Sequence, residues 1–255
     1  MQDFSLGKHI TSAPYTKFAY YYDLLGWSEF AETMYPMLIN FFDKLTKTPA
    51  NFLDLACGTG TLAYKLAEQK IRVTGIDISR EMIKIAAAKR SLDQYQPIFR
   101  YGDITAFDLG RQFDCVGCFF DSLNHLKTRE DIKKTFQRAY DHLYPQSWFI
   151  FDMITRFGFE NWQDYYNSVE DSFYVSQEAK YIPEEDYARV KIEAFVKDDT
   201  AGSVHIKEVF NEIHLPLKSI NEYLSEVGFT KIIIRPYPPA ETLDDADRVV
   251  IYARK

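Results

Sequence analysis

Cysteine is scarce in this chain. Three residues, Cys57, Cys115 and Cys118, occur among 255, too few for a disulfide framework. Cys115 and Cys118 form a C-x-x-C pair, but they fall in a strand-like run from Phe113 to Phe120. Residues three apart on a strand face opposite ways, and no second pair completes a zinc site. Buried strand cysteine in a reducing, cytoplasmic setting is therefore expected. A basic surplus is lacking as well. The 30 Lys and Arg stand against 37 Asp and Glu, a formal net charge of −7. Proteins that grip a phosphate backbone present a basic face, so no nucleic-acid partner is expected. No apolar run is long enough to span a bilayer, and the N-terminal residues show no hydrophobic signal region. Internal repeats and low-complexity segments are also missing.

Aromatics are plentiful: 18 Tyr and 20 Phe favour large buried surfaces or a pocket. The stretch Asn51-Phe52-Leu53-Asp54-Leu55-Ala56-Cys57-Gly58-Thr59-Gly60-Thr61 organises the rest. A short apolar run, Phe52 to Ala56, reads as a buried strand; the glycines turn the chain; an amphipathic run with Leu62, Leu66 and Ala67 follows. Glycine in such a turn lets a ligand approach the backbone, and the next helix offers it free N–H groups.

Upstream, residues 1 to about 14 are polar and expected to be loosely ordered. Two helices are predicted next, from Thr16 to Leu25 and from Phe30 to Leu45, both outside the sheet and placed to cover its ligand edge. Strands and helices then alternate: strand Phe52–Ala56, helix Thr61–Gln69, strand Ile71–Ile76, a helix N-capped by Ser79 running to about Leu92, strand Ile98–Tyr101, strand Phe113–Phe120, helix Arg129–Leu143, strand Trp148–Met153. Such alternation gives a parallel sheet with helices on both faces. After Met153 the pattern becomes β-rich: Ser172–Ile182, Tyr187–Val196 and Ser203–His214, separated by turns of Pro, Asp and Gly, read as antiparallel hairpins. Helix Leu217–Val227 stops at Gly228, and strands Phe229–Arg235 and Arg248–Ala253 close as a hairpin on the main sheet.

Asp54, Asp77 and Asp103 stand at the ends of the first three strands, where open α/β sheets bind ligands. An acidic residue about 20 residues after the glycine turn suits a ribose diol, because a carboxylate accepts from both hydroxyls. Asp103 suits an exocyclic amine such as adenine's, with Ile78 and Ile104 placed to sandwich the base. A dinucleotide turn of the G-x-G-x-x-G type would carry Ala63 at its third position, which that pattern tolerates. Ala56-Cys57-Gly58-Thr59-Gly60 behind Asp54 points elsewhere, since a phosphate there would face several negative charges.

The motifs Leu53 to Gly60, Gly75-Ile76-Asp77-Ile78-Ser79, Gly102-Asp103-Ile104, and Phe113-Asp114 through Asp121-Ser122-Leu123-Asn124-His125-Leu126 resemble, in this order, those of the class I S-adenosylmethionine-dependent methyltransferases. The resemblance covers residues 16–153. Phe18-Ala19-Tyr20-Tyr21-Tyr22-Asp23-Leu24-Leu25 and the β-rich insert look like the small-molecule, glycine and sugar-amine N-methyltransferase type. One departure is Pro145-Gln146-Ser147, where that family usually has Pro-Gly-Gly, so a turn needing positive φ would be strained there.

The resemblance implies a Rossmann-like, doubly wound, seven-stranded, mostly parallel sheet with an N-terminal helical cover (1–48), a cofactor-binding core (49–155 and 215–255) and an inserted antiparallel sheet on the acceptor side (156–214). It implies S-adenosyl-L-methionine held by Tyr22, Ala56, Gly58, Gly60, Asp77, Ile78, Asp103 and Ile104. His125 and Tyr15 are the candidate catalytic residues; Asp121 and Asn124 either meet the methionine end or cap their loop. Tyr165-Tyr166 and Phe173-Tyr174 are candidate pocket walls. His9, His142, His205 and His214 have no spacing that suggests a metal. The expected activity is methyl transfer to a small molecule at nitrogen or oxygen by a cytoplasmic monomer or homodimer. The alternatives are methylation of RNA or protein, and a non-catalytic module that binds S-adenosylmethionine.

Overall fold

The computed structural model describes residues 15–89 and 95–255. The polar stretch before Tyr15 and the predicted helix end near Leu92 lie outside the described residues. The helices are α1 (Phe30–Phe42), α2 (Thr61–Glu68), α3 (Arg80–Ala88), α4 (Arg129–Asp141), α5 (Arg156–Glu160) and α6 (Leu217–Val227). The strands are β1 (Asn51–Leu55), β2 (Arg72–Asp77), β3 (Ile98–Tyr101), β4 (Phe113–Cys118), β5 (Leu143–Ile154), β6 (Tyr165–Val169), β7 (Phe173–Ile182), β8 (Tyr187–Asp198), β9 (Gly202–Ile213), β10 (Lys231–Pro236) and β11 (Arg248–Arg254).

Seven strands form the main sheet in the order β10-β11-β5-β4-β1-β2-β3. Strands β1 to β5 pair in parallel, and β11 runs antiparallel between β5 and β10. The order reverses between β1 and β4, which opens a crevice above the carboxyl ends of those strands. Strand alternation distributes the core over both faces. Cys118, Phe149 and Phe151 pack with α4 and α6 on one side. Cys115, Ile150 and Phe52 pack with Met34, Leu38 and Phe42 of α1 on the other. The C-x-x-C pair is thus divided between two cores.

Strands β6-β7-β8-β9 form a second, antiparallel sheet. Its inner face, with Val175, Val190, Ile192, Ala194 and Phe210, buries Phe18, Leu25 and Trp27 of the N-terminal segment. β6 was not expected from the sequence: Tyr165–Val169 is short, exposed and mixed in polarity.

Residues 16–25 do not form the predicted helix. One 3-10 turn, Phe18–Tyr21, is present without a side-chain cap. Its aromatics are claimed by different partners: Phe18 packs on the second sheet, the Tyr21 hydroxyl donates to Asp198, and Tyr20 is exposed. Those contacts override a weak local preference. Before Trp148, Gln146 holds the left-handed φ of 67° where a glycine was expected. Its N–H donates to the Lys255 carbonyl at 3.0 Å, and Arg254 bonds its carbonyl and side chain. The register slip between the Phe113 and Cys115 pairs of β4 and β5 absorbs this bulge.

Candidate functional site

The floor of the crevice is the turn after β1. Ala56, Gly58 and Gly60 adopt φ of 55°, 54° and 78°, and α2 begins at Thr61. The Cys57 N–H donates to the Ile76 carbonyl at 3.0 Å, locking the turn beside the end of β2. There Asp77 accepts the Gly58 N–H and the Ser79 N–H, each at 2.8 Å. Ser79 in turn caps α3 by accepting the Met82 N–H. A carboxylate has more acceptor positions than these two bonds use, so Asp77 can still receive hydroxyls from the cavity it lines. Burial raises its proton affinity against the pull of those N–H groups. Asp54, deeper in the strand, is pushed up to about 8 by burial and by the nearby Asp77 charge.

A cavity of about 950 Å³ opens above this floor. Tyr15, Tyr22, Ala56, Gly58, Asp77, Ile78, Asp103, Ile104 and His125 all line it. Gly60 does not. A Cβ at Gly60 would stand 2.6 Å from Phe99, so this glycine serves packing below the floor, whereas the Cβ position of Gly58 meets open space. Ile78 is 62 % exposed, an apolar surface with no cover in the protein itself. Asp103 accepts both the N–H and the hydroxyl of Thr105.

The other end of the cavity is built by the loop after β4. Phe120 and Asp121 both take left-handed φ, 58° and 48°, an unfavourable backbone that needs support. Asp152 on β5 supplies it by accepting both of their N–H groups, at 2.7 and 3.0 Å. Arg248 on β11 then pairs with Asp152 and, at 2.8 Å, with Asp121. Burial alone would raise Asp121, but Arg248 and His125 outweigh it and hold the carboxyl below its ordinary range. Asn124 is fully buried: its Oδ1 accepts the Ile154 N–H and its Nδ2 donates to the Ile213 carbonyl. It bolts the loop between the two sheets and does not face the cavity.

His125 sits where these pieces meet. Its Nε2 lies 3.3 Å from the Tyr15 hydroxyl, 3.6 Å from Asp121 and 3.7 Å from Glu212. Burial would lower its proton affinity, yet Glu212 and Asp121 outweigh this and raise it. Tyr15 is held from three sides: its N–H donates to Glu208, its carbonyl accepts from Ser79, and its ring packs near Phe210. Burial, reinforced by Tyr22 and the neighbouring carboxylates, keeps its hydroxyl protonated.

Three residues of this end escaped the sequence reading. Glu208, Phe210 and Glu212 alternate along β9, so all three face one side of the strand, where Phe210 and Glu212 line the cavity. Glu-x-Phe-x-Glu at period two was the available signal. The proposed walls Tyr165-Tyr166 and Phe173-Tyr174 are absent from the lining; Tyr165, Tyr166 and Tyr174 are exposed and Phe173 packs in the core of the second sheet. His142, His205 and His214 each serve local hydrogen bonds, and His9 lies outside the described residues.

Residues 52–146 match the family model of a methyltransferase domain. A methyltransferase candidate of Geobacillus sp. (strain WCH70) is 29% identical over 251 residues, covering 94% of this chain and 99% of its own. The dTDP-3-amino-3,4,6-trideoxy-alpha-D-glucopyranose N,N-dimethyltransferase of Streptomyces venezuelae is 26% identical, covering 74% of this chain and 78% of its own. The fold is shared with an S-adenosylmethionine-dependent methyltransferase from Clostridium acetobutylicum, with a TM-score of 0.76 at 22% identity over 94% of this chain and 98% of that one. The chain thus carries a methyltransferase domain and shares the fold of S-adenosylmethionine-dependent methyltransferases. Its cavity suits that cofactor: an acceptor-only carboxylate for a diol, an uncovered isoleucine for a base, and the buried Asp54 for a cationic tail. No helix among the described residues is long and apolar enough to cross a membrane.

Proposed function

We propose that the enzyme methylates a small, sugar-like acceptor at nitrogen or oxygen, at the His125 end of the cavity, with residues 156–214 forming the acceptor side. The observation that carries this reading is the convergence of Tyr15, Asp121 and Glu212 on His125 Nε2. When bound, S-adenosylmethionine supplies an electrophilic methyl group. The protein is left to orient a nucleophile, exclude water and manage its proton. His125 is placed to hold that proton, and the neutral Tyr15 hydroxyl to donate a hydrogen bond that fixes the acceptor or the imidazole. Tyr22, Ala56, Gly58, Asp77, Ile78, Asp103 and Ile104 hold the cofactor in this reading, with Gly60 supporting the turn.

The Streptomyces venezuelae relative acts on a nucleotide-linked amino sugar, which favours nitrogen. The acidic chain, at net −7, favours a small acceptor over RNA. Three unpaired cysteines suit the cytoplasm. Transfer of labelled methyl to a panel of amino sugars and their hydroxyl counterparts tests the assignment. His125→Ala is expected to lower kcat by about 10²-fold while S-adenosylhomocysteine affinity by calorimetry stays within about twofold. An unaltered rate would make His125 a spectator. Failure on every acceptor, with cofactor binding intact, would favour a non-catalytic binding module.

A further inference from the structure

Glu212 stands out among the buried acids. It is 1 % exposed, it lines the cavity, and its Oε2 has no hydrogen-bond partner. Its other oxygen is 3.7 Å from His125 Nε2, too far for a hydrogen bond. An unpaired buried carboxylate is a costly arrangement. Across the ladder its partner is Ala188, whereas on the same face of β9 Ile206 and Phe210 pack in the core of the second sheet and Glu208 accepts the Tyr15 N–H. Asp121 Oδ1 also lacks a hydrogen bond, but it and Asp152 are both ion-paired with Arg248. Among the described residues, Glu212 is the cavity-lining carboxylate that has an unpartnered oxygen and no Lys or Arg ion pair.

The surroundings describe the missing partner. Ligand atoms of Asp121, His125 and Glu212 lie within 4.8 Å of one another, so the spot attracts positive charge. Its walls are aromatic: Phe210 lies 4.7 Å from the His125 ring and 5.9 Å from the Tyr15 ring. Aromatic faces beside a carboxylate suit an organic ammonium; a hard metal ion would ask for more oxygens or bound waters. Arg248 already neutralises part of the Asp121 charge, which leaves Glu212 as the strongest unfilled acceptor.

We propose that Glu212 is the specificity residue for an amine acceptor, its Oε2 receiving an N–H of the substrate ammonium beside His125. This rests on the reading of that cavity end as the acceptor site, and it selects nitrogen over oxygen. Burial pushes Glu212 up to about 8 in the ligand-free protein, His125 opposing and Asp121 adding to that effect. The groups facing it are Asp121 and His125 from the loop after β4, Tyr15 from the N-terminal segment, and Arg248 from β11. A bound ammonium favours the carboxylate form, so affinity rises with pH up to about 8. From that pair, one proton moving from nitrogen to Oε2 leaves a neutral amine with a free lone pair and a neutral carboxylic acid. Charge and atoms balance without another reactant.

The experiment uses the full chain with S-adenosylhomocysteine bound and methylammonium as the probe, followed through the His125 Cε1–H resonance. Wild type is expected to show a saturable shift with methylammonium and none with methanol. Glu212→Gln should weaken the methylammonium response at least tenfold and remove its rise between about pH 6 and pH 8, while S-adenosylhomocysteine affinity is unchanged. Should that variant fail to fold, Glu212→Asp draws the oxygen back by one methylene and gives the same comparison. A wild type without a saturable shift, a Glu212→Gln response equal to wild type, or a shift produced by Mg²⁺ and not by methylammonium would each overturn the proposal. Failure of wild type to bind S-adenosylhomocysteine would instead overturn the reading beneath it.

Discussion

Thr59 donates a 2.6 Å hydrogen bond to Asp23, which joins the glycine turn to the N-terminal segment that covers it. Lys89, just past α3, sits 2.6 Å from the other Asp23 oxygen. The cover is therefore fastened to the floor by one side chain that both can sense. Thr59→Val and Asp23→Asn are expected to lower S-adenosylmethionine affinity by about three- to tenfold, the loss of one charge-assisted hydrogen bond. Calorimetry reads the affinity. Limited proteolysis should also cut residues 15–26 faster in both variants, and equal cutting would show that the cover is held by its aromatic packing alone.

Asp77 has a double duty, since it steadies the Gly58 and Ser79 N–H groups and faces the cavity. Asp77→Ala should weaken cofactor binding by about 1–3 kcal/mol. Asp77→Asn keeps an acceptor but loses the charge, and should fall between. S-adenosylmethionine binding that is unchanged in the alanine variant would remove Asp77 from the ribose assignment.

Arg248 is buried against two carboxylates. Arg248→Met would strand both, an expected loss of about 3–5 kcal/mol in unfolding free energy. Urea titration measures it, and adding Asp152→Asn should recover part of the loss. Activity should fall with it, because Asp152 holds the strained backbone at Phe120 and Asp121.

The buried acids give stability a definite pH dependence. Asp54 and Glu212 are each pushed up to about 8, whereas unfolded carboxyls titrate near about 4. Between those values the folded chain holds protons the unfolded chain lacks. Stability therefore falls as pH rises through that window, by at most about 1.4 kcal/mol per pH unit for each group. His125, raised overall, adds a loss of the same sign as pH rises through its folded value. Asp121, depressed chiefly by Arg248 against burial, acts at the acid end, where its contribution disappears as pH falls. The Tm of the ligand-free protein should drop between about pH 5 and pH 8, less steeply in Glu212→Gln and Asp54→Asn. A level Tm in wild type would contradict the burial of these charges.

The residues proposed to hold the cofactor could be placed along one cavity wall because they are local in sequence. Asp77, Ile78, Asp103 and Ile104 each close a strand that periodicity reveals, and parallel pairing brings those ends together. The His125 end of the cavity is assembled across long separations. Glu212 meets His125 only because Asn124 clamps the loop to both sheets, and the face of β9 depends on a register that no short motif records. The same applies to Arg248, which reads as an ordinary strand residue until β11 is seen between β5 and β10. Tyr15 was visible as a candidate, but its link to Glu208 was not.

The placement of Arg248 has a consequence for the order in which the protein is made. Residues 51–105, with the glycine turn and the Asp77 and Asp103 strand ends, emerge from the ribosome early, and β4, the other neighbour of β1, follows within a few residues. The loop at Phe120 and Asp121 must wait for β11, which is synthesised more than a hundred residues later and must slot in beside β5. A nascent chain thus carries its glycine turn more than a hundred residues before the arginine that pins the loop at the other end of the cavity.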